Sequence, residues 1–355
     1  MTSNGTPIEA DRTADITTTN AQISRVFQNA SRVLITSHIR PDGDAVGSLL
    51  GLGLALQQAG KTVRMVLADG VPHSLRHLEG SKQVQRAAGD MSGFDLVIVV
   101  DASDLKRVGG VLNDRTPDLN IDHHVTNLRF AAVNLVIPAQ VATAAIIARY
   151  LPDWGLEYSR PVADALLTGI VTDTIGFRTS NMTAEALRLS AMLMDQGAEL
   201  PELYQRALTN KTFSAARYWS YGLSRMQSEP AGISESANGN ESGSSMVWTS
   251  LTLEDRVGAS YPGNDDADLV SLLSSIDADI AVIFVEQKNE HVKVSWRARP
   301  GFDVSQIALQ FGGGGHPAAA GADIAGTLEV VQEQVLAATR MIFSSPSAQR
   351  AEGDS

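Results

Sequence analysis

The sequence predicts an α/β fold: an N-terminal, doubly wound and mainly parallel sheet, then a smaller C-terminal α/β domain with a mixed sheet. Three observations predict it. Apolar, β-branched runs alternate with helix-patterned segments through the first half of the chain. One of those runs, Phe94-Asp-Leu-Val-Ile-Val-Val100, is continuously apolar after its aspartate, as strands buried on both faces of a parallel sheet are. Finally, 355 residues at 43 % hydrophobic content suffice for two cores, and a Gly/Ser/Asn/Glu-rich stretch from Ser228 to Ser245 separates the first set of elements from a second.

Taken in order, Met1 to Asn20 is polar and aperiodic and reads as a flexible tail. Val33 to Thr36 is a short strand that stops at His38. Ala45 to Gln58 reads as a helix whose Gly47, Gly51 and Gly53 would let it lie close to the sheet, with Gly60 as its C-terminal stop. Thr62 to Leu67 is a second strand, and Ser81 to Ala88 a polar helical segment leading into the Phe94–Val100 strand, with Asp101 just past its end. Leu119 to Ile121 is a strand followed at once by Asp122-His123-His124. Val162 to Thr172 reads as a helix with Val162, Leu166, Gly169 and Ile170 on one stripe. Asp173 continues that stripe, where a carboxylate is costly unless paired or bound to a metal. Thr183 to Met194 and Pro201 to Met226 read as helices, and Ser228 to Ser245 as a mobile loop. Strands resume at Met246 to Thr252, Ile280 to Val285 and His291 to Ser295. A helix from Val304 to Gln310, a glycine run ending at His316, small residues from Ala318 to Gly321 and a last helix, Leu328 to Ile342, complete the chain. The expected organisation is a tail (1–20), a first α/β domain (21–200), a helical linker (201–227), a loop (228–245), a second domain (246–343) and a second tail (344–355).

Composition excludes several classes. The chain has no cysteine, so disulfides, thiolate zinc sites and cysteine nucleophiles are out, and a metal must be held by His and carboxylate. That donor set suits manganese, magnesium or iron. No apolar run approaches the ~18 residues of a membrane span, and the polar N-terminus lacks an export signal, so a cytoplasmic protein is expected. A net charge of −12 argues against a grip on long nucleic acid, which needs a basic footprint. From Met246 to Ser345 there are 6 Lys/Arg against 13 Asp/Glu, which argues against an extended strand-binding groove there and leaves small anionic substrates open.

The chemistry gathers at element ends. His38, Asp42, Asp44, Asp101, Asp122, His123, His124 and Asp173 come from four separated segments. Singly each has an ordinary explanation: Pro41-Asp42-Gly43 is a common turn, Asp44 could cap the following helix, and Asp101 could cap a turn. Jointly they match what two divalent cations ~3.5 to 4 Å apart require, with one shared carboxylate and an activated water for in-line attack on phosphorus. Gly43 could take a positive φ, letting Asp42 and Asp44 face one cation pair. In the second half, the glycine run 313–315 could present backbone N–H groups to an anion beside His316.

The pattern His38-x-x-Pro41-Asp42-Gly43-Asp44, with strand-terminal Asp101, the literal Asp122-His123-His124 and Asp173, resembles the four motifs of the DHH phosphoesterase family. Phe311-Gly-Gly-Gly-Gly-His316 followed by Ala-Ala-Gly resembles the signature of the DHH-associated C-terminal domain. The resemblance covers Ser24 to Ile342 and is strongest to compact bacterial members that act as oligoribonuclease (nanoRNase) and as phosphatase on 3′-phosphoadenosine 5′-phosphate. Actinobacterial relatives of that group also cleave cyclic di-AMP and its linear dinucleotide, pApA. It implies two Mn2+ per chain, with Mg2+ or Co2+ as substitutes, and an active site in the cleft between two domains. His38, Asp42 and Asp101 would hold one cation; Asp44, Asp101, His123 and Asp173 would hold the other. Asp122 would orient a ligand, His124 would contact the substrate phosphate, and Arg107 would reach the scissile phosphate. Arg297, Arg299, Gly313, Gly314, Gly315 and His316 would bind substrate. The segment Ser295-Trp296-Arg297-Ala298 departs from the family's Ser-x-Arg-Ser by an alanine. The implied activity is hydrolysis of short RNA and nucleotides, with no membrane partner; a homodimer is compatible with it.

Three other readings differ in what they require. A family pyrophosphatase would carry another C-terminal domain. A processive single-strand exonuclease would need a basic groove or extra binding modules. A degenerate cyclic-dinucleotide sensor would lack part of the ligand set, whereas every expected ligand type is present here.

Overall fold

In the computed structural model, residues 7–179, 181–232 and 244–343 are described, and the chain divides into two compact units, Met1–Asn210 and Lys211–Ser355. The expected C-terminal tail, residues 344–355, lies outside the described residues, as do residues 1–6 of the N-terminal one. No helix of the described residues is long and apolar enough to cross a membrane.

The first unit opens with helix α1 (Pro7–Asn29), so the expected tail is helical from residue 7. Its polar composition hides an anchoring stripe: Ile23 and Phe27 are buried in the core, and Asn20 accepts a hydrogen bond from Trp154 Nε1 at 2.9 Å. Strands β1 (Arg32–Thr36), β2 (Thr62–Val66), β3 (Leu96–Val100), β4 (Leu119–Asp122) and β5 (Val133–Val136) form an all-parallel sheet in the order β2-β1-β3-β4-β5. Alternation sorts the central strands between two cores: Val33, Ile35, Ile98 and Val100 enter one, and Leu34, Val97 and Val99 the other. Helices α2 (Gly43–Gln58), α3 (Thr143–Tyr150), α4 (Arg160–Asp173) and α5 (Ala184–Asp195) fill the first core. Residues of loops and of the 3₁₀ turn Leu105–Val108, among them Ala88, Val108, Val111 and Leu112, cover the second.

Glycines set how near α2 and α4 come. Gly43 is not at positive φ, contrary to expectation; it is the first residue of α2, and a Cβ there would sit 2.2 Å from Thr172 Oγ1. A Cβ at Gly47 would meet the carbonyl oxygen of Ala165 at 2.5 Å, so this glycine serves the α4 contact and not the sheet.

Two further expectations change. Ser81–Ala88 is helical only as the 3₁₀ turn Ser81–Gln83, because Val84 is extended and Gln85 hydrogen-bonds along the outer edge of β2. The helix read over Pro201–Met226 is broken: α6 (Leu200–Tyr204) passes into a π turn, Gln205–Thr209, and Asn210 is extended before α7 (Phe213–Ser224) begins with Thr212 as its cap.

In the second unit, β6 (Gln227–Gly232), β7 (Ser244–Leu251), β8 (Ile280–Gln287), β9 (His291–Ala298), β10 (Gly314–His316) and β11 (Ala319–Ala325) form one mixed sheet, β10-β11-β9-β8-β7-β6, in which only β7 and β8 are parallel. The first residues of the stretch read as a loop therefore pair as β6, while 233–243 lie outside the described residues. Val282, Phe284, Val294 and Trp296 pack with α10 (Ser305–Gln310) and α11 (Leu328–Phe343). The alternate residues Ala281, Ile283 and Val285 pack with α7, α8 (Leu253–Ala259) and α9 (Leu269–Leu273).

Candidate metal centre

A parallel sheet delivers all its strand carboxyl ends to one side, and the order β2-β1-β3 makes the gap between β1 and β3 the switch point where such sheets place ligands. His38 follows β1 by two residues, Asp101 follows β3 directly, and Asp122 ends β4. The sequence-selected groups meet there. His38 Nε2 lies 3.4 Å from Asp101 Oδ2 and 3.8 Å from Asp42 Oδ2. His123 Nε2 lies 3.5 Å from Asp173 Oδ2, 3.8 Å from Asp101 Oδ1 and 3.9 Å from Asp44 Oδ2. Three ligand triads result, His38–Asp42–Asp101, Asp44–His123–Asp173 and Asp101–His123–His124, each with donor atoms within 4.8 Å of one another. The two oxygens of Asp101 face different imidazoles.

Local structure fixes each donor. Asp42 is the N-cap of α2, its Oδ1 accepting from Ala45 N at 3.0 Å, so the capping role belongs to Asp42 and not Asp44. Asp44, in the first turn, points instead to the start of α3, accepting from Thr143 N at 2.6 Å and Ala144 N at 2.8 Å, and from Ser48 Oγ at 3.2 Å. Asp101 is held at φ +53, a left-handed conformation uncommon for non-glycine residues and best tolerated by asparagine and aspartate, while its N–H still donates to Ile121 O. Its Oδ1 accepts from Thr143 Oγ1 at 3.0 Å. His38 Nδ1 is 2.8 Å from Ile39 O and His123 Nδ1 is 3.3 Å from Gln140 O; as donors there, both rings keep Nε2 as a lone-pair ligand.

Asp122 is fully buried and serves its neighbours. It accepts from His123 N at 2.9 Å, His124 Nδ1 at 2.7 Å and Asn127 Nδ2 at 2.6 Å. His124 Nδ1 also lies 3.7 Å from Asp101 Oδ1. Arg107 is exposed on the 3₁₀ turn after Asp101, and its carbonyl accepts from Ile39 N at 2.6 Å, tying the His38 loop to the Asp101 loop.

The electrostatics follow from crowding. Burial, then the charges of Asp101, Asp173 and Asp42, push the Asp44 carboxyl well above the usual range. Burial, with Asp101 and Asp42, does the same to Asp173. Burial acts against ionisation of Asp101 too, but the His38 hydrogen bond and the charges of His38, His123 and His124 hold it below the usual range. Burial pulls His124 down, yet its bond to Asp122 and the charges of Asp101, Asp122 and Asp173 push it up to about 9. Four carboxylates around two imidazole lone pairs form a hard donor set, and their mutual repulsion is what two dications would relieve.

Sequence reasoning missed Thr143, Gln140, Asn127 and Ser48, whose polar groups support the ligands. Asn127, four residues past His123 in one loop, was a findable signal. Thr143 was not, since nothing local ties it to Asp44.

In the second unit, the register Arg297↔Ala319↔His316 places Arg297 and His316 on one face of the sheet, two strands apart across a small residue. Burial lowers the Arg297 pKa, against Asp266 and Asp268. Arg299 is paired with Asp277 at 2.9 Å. The glycine run is not an open loop: Gly314–His316 is the edge strand β10, and Gly313 N donates to Ala308 O at 2.8 Å. Close approach explains these glycines, because a Cβ at Gly313 would sit 2.2 Å from Gly321 O.

Comparison with known proteins gives consistent matches. The DHH family N-terminal domain matches residues 32–170 and the DHHA1 domain residues 257–344. The chain is 35% identical over 309 residues to the bifunctional oligoribonuclease and PAP phosphatase NrnA of Thermus thermophilus, covering 87% of this chain and 89% of the relative. It is 24% identical over 311 residues to the protein of the same name from Bacillus subtilis, covering 85% and 92%. Among solved structures, an exopolyphosphatase-related protein from Bacteroides fragilis superposes with a TM-score of 0.80 at 25% identity, covering 93% of this chain and 98% of that one.

Proposed function

The chain belongs to the DHH family of phosphoesterases, and from that membership we propose that it is a manganese-dependent hydrolase of short oligoribonucleotides, pApA, 3′-phosphoadenosine 5′-phosphate and cyclic di-AMP, acting in the cytoplasm. The observation that carries this reading is the sharing of Asp101 between His38 and His123, which supports a two-cation donor set. His38, Asp42 and Asp101 would hold one cation and Asp44, Asp101, His123 and Asp173 the other; Mg2+ or Co2+ could substitute. Four aspartates balance the charge of two dications. Such cations, when bound, supply an activated water at neutral pH and neutralise the phosphoryl oxygens.

The protein's own groups do the rest. His124, whose cationic form is favoured by its bond to Asp122, donates from Nε2 to a non-bridging phosphate oxygen while Asp122 fixes its ring through Nδ1. Arg107 offers a second positive group from the exposed turn past Asp101. Arg297 of β9 and His316 of the edge strand β10, on one face of the sheet, bind the remainder of the nucleotide together with Arg299, Gly313, Gly314 and Gly315. The relatives named oligoribonuclease and PAP phosphatase support this substrate class.

The test is incubation with 3′-phosphoadenosine 5′-phosphate, pApA and cyclic di-AMP, with Mn2+ or with EDTA, and chromatographic separation of products. AMP formation with Mn2+ and none with EDTA is expected. Binding of cyclic di-AMP without consumption of any of the three would overturn the reading in favour of a sensor.

A further inference from the structure

The end of the parallel sheet opposite the metal centre carries a second concave site. A groove of about 560 Å³ is lined by Arg32 at the start of β1, Arg64 of β2, Gln83, Gln85, Asp90 and Phe94. That volume lies in the range of small-ligand sites, roughly 300–1,000 Å³. Arg32 is six residues before His38 along an extended segment, so the groove is about 20 Å from the cation ligands and cannot serve the reacting phosphate.

Two guanidinium groups dominate it. Arg64 stacks on the Phe94 ring, 5.0 Å from its centroid, and donates to Ala88 O, which fixes one side of its fork and leaves other N–H groups to a ligand. Among the described residues neither arginine has a carboxylate within 4.0 Å, in a chain of net charge −12. Two acids lie nearby without forming an ion pair: Asp90 feels the Arg64 charge and accepts from Ser92 N and Oγ, and Asp95 feels the Arg32 charge and accepts from the backbone N–H groups of Ser31 and Arg32. Gln83 gives its Oε1 to Gln57, leaving an amide donor pair, and Gln85 is anchored by its backbone to Met65 and Leu67 with an exposed side chain. Arg32 and Arg64 stand diagonally on adjacent strands, and arginine reads phosphate while carboxamides read the donor–acceptor edge of a base.

We infer that this groove is a second, non-catalytic binding site for a nucleoside monophosphate, with phosphate on Arg32 and Arg64 and the base against Gln83 and Gln85. The site rests on the groove alone and not on the hydrolytic reading, because nothing in it shares a residue with the metal centre.

The test is equilibrium dialysis of labelled AMP against the full-length chain carrying Arg297→Gln and His316→Ala, with Mn2+ and with EDTA. Groove binding persists in EDTA, is weakened by salt, and falls about tenfold or more with Arg32→Gln, which removes a charge-assisted contact, or with Gln83→Glu, which sets a negative charge beside an anionic ligand. Both positions are exposed, and in the otherwise unaltered chain Arg32→Gln leaves turnover of pApA unchanged. No EDTA-resistant binding up to about 1 mM AMP, or binding indifferent to both substitutions, overturns the site. Inorganic phosphate competing as well as AMP overturns its assignment to a nucleotide.

Discussion

The carboxylate of Asp44 accepts the backbone N–H of Thr143 at 2.6 Å, across 99 positions of sequence. Helix α3 has no side-chain cap of its own, since Ala142 stands at its N-cap, and Asp44 supplies one from α2. A cation ligand is thereby also the cap of a buried helix. Thr143 completes the arrangement by donating its hydroxyl to Asp101. Ligand placement and core packing are thus one structure.

Thr143→Val removes the hydroxyl donor and keeps the backbone bonds to Asp44. Mn2+ affinity is expected to fall about 10- to 100-fold, as for other outer contacts of ligands, with the EDTA-treated protein folding normally. Calorimetric titration with Mn2+ and circular dichroism check the two halves.

Asp101→Ala deletes the only carboxylate placed between both imidazoles among the described residues. Hydrolysis should drop by a factor of about 10³ or more, on the scale of losing a major electrostatic contributor, while the fold is retained. Manganese-dependent turnover surviving in this variant would defeat the two-cation reading.

Asp173 has a folded pKa raised well above its unfolded value, so between the two values the folded state binds the proton more tightly. Its contribution to stability is present below the unfolded pKa of about 3.9 and lost as pH rises through the folded one. In EDTA, Asp173→Asn should therefore melt higher than the parent at neutral pH, by about 2–4 °C per kcal/mol recovered, and the difference should shrink toward pH 4. The same variant should lose most of the stabilisation that Mn2+ gives the parent. Melting curves over pH, with and without Mn2+, decide it.

Asp122→Asn takes away the main group raising His124 against the effect of burial. The alkaline limb of kcat/KM, set by loss of the His124 proton, should move down by about one pH unit or more, with a lower plateau. An unmoved limb would assign that limb to another group.

Gly47→Ala drives a methyl group to 2.5 Å from the Ala165 carbonyl oxygen, which belongs to a rigid helix. The overpacking costs about 1–3 kcal/mol, more than the ~1 kcal/mol that alanine gains over glycine in a helix. A lower melting temperature and weaker Mn2+ binding are expected together, because α2 carries Asp44 and, at its N-cap, Asp42.

Much of this protein is written locally in its sequence. The strands β1 and β3 are apolar runs and β4 carries the apolar pair Leu119 and Ile121, and each of the groups His38, Asp101, Asp122 and His123 stands within two residues of a strand end, where the alternation of strands and helices places them on one side of a sheet. Spacing identified the family motifs. Helix α3 escaped notice because its eight residues span barely two turns, too few to establish a period, and β5 because four residues alternate too briefly. The left-handed φ of Asp101, the helical Gly43, the edge strand made from the glycine run and the remote cap on α3 were decided only by tertiary structure. The reason is range: hydrophobic pattern reports which face of an element meets a core, whereas strand order, which sets β1 beside β3 across sixty-three positions at Val33 and Leu96, is selected by the packing of the whole sheet.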